Sequence, residues 1–277
     1  MCRWLAYTGN PIRPRMLLFE PEHALVNQSY DAQRAESPTQ GDGFGLGWYG
    51  ANDAPALYRS ILPAWNDRNL GELAGNIMSG HFLAHVRATT GTEIQQSNCH
   101  PFRHGRWLFM HNGHIEGFEV CRRDLTLAVD EAFFPDLRGT TDSELMFHIA
   151  LSHGLDDDPL GALQRMVGSV ERTGGRHGIA NVLQMTVALS DGASIWAARY
   201  ATEGVPPTLY HSLEMKALYT LVPALEEHFA ADSRVVVSEP LSDLDAAWEE
   251  IAPSSAVRLH EGNIETFPFA PVSVDYD

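Results

Sequence analysis

Short apolar runs rich in β-branched and aromatic residues recur along the chain, separated by glycine, proline and asparagine. Runs of this length and composition are typical of strands buried on one or both faces. They predict strands over Arg3–Tyr7, Phe44–Tyr49, Ala56–Arg59, His81–Val86, Trp107–His111, Val182–Leu189, Ser194–Tyr200, Thr208–His211, Lys216–Leu221 and Arg234–Val237, with further strand-like stretches near the C-terminus.

Helical periodicity is confined to fewer segments. Asp142 is a candidate N-cap for a helix whose apolar residues follow at spacings of three and four, and a second helix is predicted from near Asp158. Two further helices are predicted over Glu20–Asn27 and Leu241–Glu250, and a loop over Gly174–Gly178. Strands on both sides of a central helical pair indicate mixed layers around stacked sheets.

Composition narrows the function classes. The chain carries 19 Lys plus Arg against 36 Asp plus Glu, a formal charge of -17, which disfavours nucleic acid and anionic membranes as partners. We find neither the apolar core of a signal peptide nor an apolar stretch of membrane-spanning length. Three cysteines without metal-like spacing argue against a disulfide framework and a zinc site. We expect a cytoplasmic protein with a single domain over residues 1–277.

Cys2 is the residue with the most distinctive chemistry near the N-terminus. Removal of Met1 would leave a thiol and a free α-amine on the same residue. The ordinary α-amine pKa of about 7.7 to 8.0 suits proton transfer near neutral pH, and a thiol with a pKa of about 8.5 is a strong nucleophile. The sequence therefore predicts a nucleophile and its base at one position, against the alternative that a cysteine here is incidental.

A second candidate element is the segment from His111 to His114, which we interpret as a turn that follows an apolar strand. Backbone and asparagine N–H groups in such a turn can stabilise the oxyanion of a tetrahedral intermediate. Gly113 would allow a positive φ and close approach of the backbone to a substrate. Taken alone, an Asn-Gly pair after a strand is more often a plain hairpin.

Six segments that occur in a fixed order favour a functional interpretation of this turn over a plain hairpin. Together they resemble the class II glutamine amidotransferases, which belong to the N-terminal-nucleophile hydrolases, and a later segment, Ser238 to Leu241, is similar to a shared element of that family. The six segments are Met1-Cys2-Arg3, Gly43-Phe44-Gly45-Leu46-Gly47-Trp48-Tyr49, His85-Val86-Arg87-Ala88-Thr89-Thr90-Gly91, Asn98-Cys99-His100-Pro101-Phe102, His111-Asn112-Gly113-His114-Ile115 and Thr141-Asp142-Ser143-Glu144.

The resemblance implies an α+β fold, a four-layer αββα sandwich of two mostly antiparallel sheets flanked by helices. It also implies that Cys2 attacks a γ-glutamyl amide and that Asn112 and Gly113 form the oxyanion hole. Arg87 matches the arginine that pairs with the substrate α-carboxylate, and Asp142 matches the acid that receives the α-ammonium. The alternatives for the last two residues are a surface charge and an N-cap.

Thr90 and His100 match further pocket positions of the family. Four histidines, His100, His104, His111 and His114, are close in sequence and invite a metal-site interpretation. At least two of these positions already belong to the amidotransferase pattern, so we expect no metal and no cofactor.

The resemblance is closest to the stand-alone branch that includes the ergothioneine-pathway γ-glutamyl hydrolase. Ala88 replaces the aromatic residue that follows the arginine in the larger biosynthetic members. We therefore expect hydrolysis of glutamine or another γ-glutamyl compound through a Cys2 thioester. The alternatives are a glutaminase subunit that supplies ammonia to a separate synthase, and a catalytically idle module that binds γ-glutamyl compounds. The expected partners are a small-molecule substrate and either such a synthase or further copies of the chain.

Overall fold

A computed structural model of the protein describes residues 2–30, 40–89, 91–213 and 228–274. Its strands form one sheet of seven and one of six, with neighbouring strands antiparallel. The strands are β1 (Arg3–Ile12), β2 (Phe44–Trp48), β3 (Ala56–Ser60), β4 (Ser79–Val86), β5 (Phe102–His104), β6 (Trp107–Ile115), β7 (Leu183–Ser190), β8 (Ser194–Ala201), β9 (Tyr210–Ser212), β10 (Arg234–Val237), β11 (Trp248–Glu250), β12 (Ser255–His260) and β13 (Asn263–Pro268).

Helices lie on the outer faces of both sheets. The described α-helices are α1 (Arg15–Leu18), α2 (Leu25–Gln28), α3 (Arg68–Asn76), α4 (Phe118–Leu127), α5 (Asp142–Ser152) and α6 (Pro159–Arg176). The first sheet has the order β11-β9-β10-β1-β4-β2-β3 and packs against α1, α2 and α3, whereas the second has the order β13-β12-β8-β7-β6-β5 and packs against α4, α5 and α6. None of these helices combines the length and the apolar composition needed to cross a bilayer.

A third apolar layer joins the inner faces of the two sheets. Trp4 and Leu83 of the first sheet pack there with Leu108, Met110 and Ala188 of the second. Strand residues alternate between faces, and this pattern divides the core into a central layer and two helix-facing layers. The result is an αββα sandwich, which confirms the fold predicted from the sequence.

The alternation in β1 determines where Cys2 points. Leu5 and Tyr7 belong to the helix-facing core of the first sheet, whereas Trp4 and Ala6 belong to the layer between the sheets. Cys2 shares the parity of Trp4 and Ala6, so its side chain starts on the inner face, toward the second sheet.

Two predicted loop or turn segments are parts of regular elements. The segment around Asn112 and Gly113 lies within β6, which pairs with β7 as far as the register Ile115↔Leu183. Cross-strand pairing therefore extends the strand through the predicted turn. The predicted loop Gly174–Gly178 is also partly wrong, because α6 continues to Arg176 and Gly174 packs against Val182.

Three helix predictions need correction. Helix α5 begins at Asp142, but its N-cap is Thr141, whose hydroxyl accepts from Glu144 N at 3.2 Å. Residues 20–27 do not form one helix: Ala24 is extended, with ψ 152°, and only α2 follows it.

The predicted helix Leu241–Glu250 is a short 3₁₀ turn followed by β11, because Trp248 pairs with Ser212 of β9 and packs in the core, which overrides local helix propensity. The predicted strand Lys216–Leu221 lies outside the described residues.

Candidate active site

Cys2 lies immediately before β1, at the end of the sandwich where β4 also ends. The register of β1 with β4 begins at Arg3↔Val86, so Cys2 and Arg87 are the residues that adjoin this pair at the same end of the two strands. Cys2 Sγ accepts from Ala88 N at 3.3 Å and lies 3.4 Å from Ala88 O. The thiol is therefore held against the backbone that follows β4.

Two residues after β10 hold the start of β1 in place. Ser238 Oγ accepts from Trp4 N at 3.1 Å, and Ser238 N donates to Trp4 O at 3.0 Å. The Arg3 guanidinium is paired with the buried Glu239 carboxylate and donates to Cys2 O at 2.8 Å. No role for Arg3 or Glu239 was predicted from the sequence; their only signal was membership of two segments that resemble the family.

Arg87 is a buried cation whose described contacts are all to neutral oxygens. Only 3% of its surface is exposed, and its guanidinium donates to Asp42 O at 3.3 Å, Thr92 Oγ1 at 2.6 Å and Glu93 O at 3.3 Å. Among the described residues, no carboxylate lies within ion-pair distance of it. A buried charge of this kind is costly unless a ligand of opposite charge completes the site.

Asp142, at the start of α5, is an anion without a described counter-charge. Its Oδ2 accepts from Ile115 N at 2.9 Å, and its Oδ1 accepts from Ser143 N at 2.7 Å. Within the described ranges, no Lys, Arg or His is ion-paired with this half-buried carboxylate. A ligand with one anionic and one cationic group would satisfy Arg87 and Asp142 together.

The edge of β6 beyond its pairing with β5 presents backbone groups to this region. Residues of one parity point their N–H and C=O groups to this edge: His111 O lies 3.2 Å from His85 Nε2, and Ile115 N donates to Asp142. Gly113 lies between them with the same parity, so its N–H points to the same edge.

Gly113 is required at this position by both conformation and space. Its φ of +149° is rarely adopted by other residues, and a Cβ there would lie 1.9 Å from Gln184 O. The same need for close approach explains Gly45 in β2, where a Cβ would lie 2.1 Å from His100 O. The glycine-rich segment of β2 thus lets the chain around His100 pack directly on the first sheet.

Asn112 has the parity of Met110 and so faces the layer between the sheets. Trp4 Nε1 donates across this layer to Thr186 Oγ1 at 3.2 Å, and Thr186 is the cross-strand partner of Asn112. Asn112 is 1% exposed, and neither its Nδ2 nor its Oδ1 has a hydrogen-bond partner among the described residues. A buried amide without partners is costly unless it has a ligand to bind.

Three buried histidines fill the space behind these groups. His100 stacks on His85 with ring centroids 4.2 Å apart, and His111 Nδ1 lies 2.8 Å from Ser143 Oγ. Burial lowers the pKa of His85 to about 3 and lowers the pKa of His100 well below its ordinary value. Burial also lowers the pKa of His111, against the opposing effect of the Asp142 carboxylate. These rings are therefore neutral near pH 7.

Burial raises the pKa of the Cys2 thiol above its ordinary value, although a hydrogen bond from Ala88 and the charges of Arg87 and Arg3 oppose the increase. A thiol in this setting needs a base to remove its proton. His85 and His100 are poor candidates, because their depressed pKa values make them weak bases.

Four further residues were considered as functional candidates in the sequence analysis. Thr90 lies outside the described residues. Cys99 is buried, with Sγ 3.4 Å from Ser60 O. His104 and His114 lie near the surface, within 3.1 Å of Asp136 and 3.5 Å of Glu116, and so are not gathered with His100 and His111.

A group of side chains with metal-ligand chemistry occurs elsewhere, at Glu22, His23 and Asp243. There His23 Nε2 already lies 3.0 Å from Asp243 Oδ1.

Comparison with known proteins identifies the family of this chain. The family model described as class II glutamine amidotransferases matches residues 21–273. The chain belongs to this family. The matched range begins after Cys2, so the match does not depend on the thiol.

Particular relatives differ in how much of each chain they cover. The chain is 27% identical over 270 residues to the gamma-glutamyl-hercynylcysteine sulfoxide hydrolase of Mycolicibacterium smegmatis, covering 97% of this chain and 100% of that protein. It is 39% identical over 160 residues to the probable glutamine amidotransferase DUG3 of Saccharomyces cerevisiae, covering 54% of this chain and 45% of the yeast protein.

A solved class II domain protein from Silicibacter pomeroyi is 32% identical, covers 98% of this chain and 100% of that chain, and superposes with a TM-score of 0.76.

Proposed function

We propose that the protein hydrolyses the γ-glutamyl amide bond of glutamine or of another γ-glutamyl compound through a thioester on Cys2. The observation that carries this proposal is a pair of opposite charges, Arg87 and Asp142, each without a described counter-charge. Arg87 is a buried cation without a described carboxylate partner, and it adjoins the Arg3↔Val86 pair at the same end of the two strands as Cys2. Asp142 supplies the complementary anion, and a glutamyl head group carries both an α-carboxylate and an α-ammonium.

In the proposed reaction, removal of Met1 exposes the Cys2 α-amine, which accepts the thiol proton. Sγ attacks the amide carbon, and negative charge moves to the carbonyl oxygen. In this proposal the donors to that oxyanion are the Gly113 N–H and Asn112 Nδ2, which has no partner among the described residues. The protonated α-amine returns the proton to the leaving amine as the C–N bond breaks. Water then attacks the thioester and releases glutamate.

The environment of the thiol supports the use of a separate base. Burial raises the pKa of Cys2, so a thiolate is not favoured at rest. An α-amine on the same residue is within reach of the thiol without help from another element. Retention of Met1 would block that amine and favour an idle binding module.

The decisive experiment is intact mass spectrometry before and after treatment with a glutamine-derived diazoketone, combined with turnover of a γ-glutamyl amide panel. We expect the mature chain to lack Met1, to gain one inhibitor adduct and to turn over at least one panel member. Cys2→Ala should lose both labelling and turnover. Cys121→Ala is the matched control, because Cys121 is buried in α4, outside the site. Turnover by Cys2→Ala, or by protein that retains Met1, contradicts the proposal.

Similarity to the mycobacterial hydrolase along its whole length supports a γ-glutamyl compound larger than glutamine as the first substrate to test. We further propose that residues 1–277 form one domain, since both sheets contribute to a shared central core. Three free cysteines fit a location in a reducing cytoplasm. If glutamine is preferred and a synthase co-purifies, the protein is instead a glutaminase subunit.

A further inference from the structure

Asn98 ends a short 3₁₀ turn, Gln96–Asn98, between β4 and β5. Its side chain is completely buried, and every hydrogen-bonding position of its amide is occupied. Nδ2 donates to Glu93 O at 2.9 Å and to Thr140 Oγ1 at 3.0 Å. Oδ1 accepts from Thr140 N at 2.8 Å and from Gln95 Nε2 at 3.1 Å. The carbonyl and the backbone N–H among these partners fix the orientation of the amide.

These bonds connect the surroundings of the two uncompensated charges. Glu93 O accepts from Asn98 and also from the Arg87 guanidinium, at 3.3 Å. On its other side, Asn98 holds both the backbone and the hydroxyl of Thr140, two residues before Asp142. The buried Asn98 amide therefore lies between the segment that contacts Arg87 and the segment that precedes Asp142.

Such a connection matters because the two charges come from different layers. Arg87 follows β4 of the first sheet, whereas Asp142 begins α5, which packs on the second sheet. No single strand or helix fixes their separation. The segment before Asp142 is held from its other side by Glu144, whose carboxylate accepts from Arg138 N at 3.0 Å and Gly139 N at 2.6 Å. The hydrogen bonds of Asn98 connect that segment to Glu93, whose carbonyl oxygen also accepts from Arg87.

We propose that Asn98 is a positioning residue that fixes the distance between Arg87 and Asp142, so that the site selects substrates bearing both an α-carboxylate and an α-ammonium. This inference rests on the proposed function of the site. A ligand that uses only one of the charges does not depend on their separation. The binding of a ligand that contacts both charges does depend on the distance between Arg87 and Asp142, because a rigid head group cannot adapt when one of the two residues is displaced.

Three chromogenic anilides separate these cases: the γ-glutamyl anilide, its analogue without the α-amino group and its analogue without the α-carboxylate. Asn98→Asp keeps the shape of the side chain but removes both Nδ2 donors and directs a carboxylate at Glu93 O. We expect kcat/KM to fall about tenfold or more for the full substrate, mainly through KM, and about threefold or less for each single-charge analogue.

Thr140→Val is a second, milder variant that removes only the hydroxyl contact of the link. It should show the same ranking of substrates with a smaller effect. Asn76→Asp is the matched control, because Asn76 lies at the exposed end of α3 and the one hydrogen bond described for its side chain is to Glu72 O in its own helix. That variant should leave all three kcat/KM values unchanged.

An equal loss on all three anilides in Asn98→Asp and Thr140→Val, or no loss on the full substrate, overturns the proposal. A purely structural role would give equal losses, because damage to the whole site does not distinguish the head groups. Failure of the proposed function is a different result: the wild-type protein would not cleave the γ-glutamyl anilide, or would cleave it without Cys2.

Discussion

Two buried arginines occupy contrasting surroundings. Arg199 of β8 is 2% exposed and donates to Pro207 O at 2.8 Å, Ile251 O at 2.6 Å and the Glu250 carboxylate at 2.7 Å. Arg87 is 3% exposed but has only neutral oxygens around it among the described residues. The charge of Arg199 is paired with a carboxylate, and its hydrogen bonds connect the segments around Pro207 and Ile251 to the second sheet. Arg87 has no described counter-charge, and in the proposed function the α-carboxylate of the substrate supplies it.

The same contrast separates the two ends of β4. At one end, His81 Nε2 lies 2.6 Å from Ser190 Oγ, and Tyr49 OH donates to Ser190 O at 2.8 Å. At the other end, His85 Nδ1 and the whole Asn112 amide lack described partners. The contacts at the His81 end stabilise the fold, whereas the groups without described partners at the His85 end support the proposed binding role of that end.

The arginine comparison gives the largest expected difference in stability. Arg199→Met leaves several buried carbonyls without a donor and should lower the free energy of unfolding by about 3–5 kcal/mol. Arg87→Met also removes donors from Asp42 O, Thr92 Oγ1 and Glu93 O, but it removes the cost of burying a charge without a described counter-charge. Because these two effects oppose each other, the free energy of unfolding should change by less than about 1 kcal/mol, while kcat/KM falls about 100-fold. Urea unfolding and steady-state kinetics measure the two effects. Equal destabilisation by both substitutions would contradict the distinction.

Asn112 and Ser190 extend the comparison to neutral groups. Asn112→Leu keeps the branching of the side chain and removes polar atoms that have no described partner, so stability should be unchanged or higher while kcat falls about 100- to 1000-fold. Ser190→Ala removes a partner of His81 and should lower the free energy of unfolding by about 1–3 kcal/mol with kcat unchanged. Urea unfolding measures the effect on stability, and steady-state kinetics measures the effect on kcat. An Asn112→Leu protein with wild-type kcat would exclude Asn112 from the oxyanion hole.

The last prediction concerns the pH dependence of stability. Burial lowers the pKa of His81 to about 4, from an ordinary value of 6.5, so the unfolded chain takes up this proton first as pH decreases. The stability due to neutral His81 is therefore complete above about pH 6.5 and is lost progressively toward pH 4. In urea titrations between pH 7 and 4.5, His81→Gln should reduce the loss of stability on acidification. Parallel pH profiles for wild type and variant would contradict this assignment.

Local patterns predicted most strands because each carries a run of apolar residues that the sheet buries. Helices α3 and α4 were missed because each buries few residues: Leu70 and Ala74 in α3, and Cys121 and Leu125 in α4. The strand character of Gly113 was also missed, since Asn-Gly is a turn signal and only pairing with β7 makes that segment a strand.

For the site, the sequence alone determined the identities and order of the motif residues, and these led to the family that the comparison confirmed. Only the tertiary structure determined which charges stay uncompensated, that Glu239 and Ser238 hold the start of β1, and that Asn98 lies between the Arg87 and Asp142 segments. The physical reason is that motif chemistry resides in single side chains. Whether a buried group is satisfied depends on contacts between residues far apart in the chain, which no local pattern records.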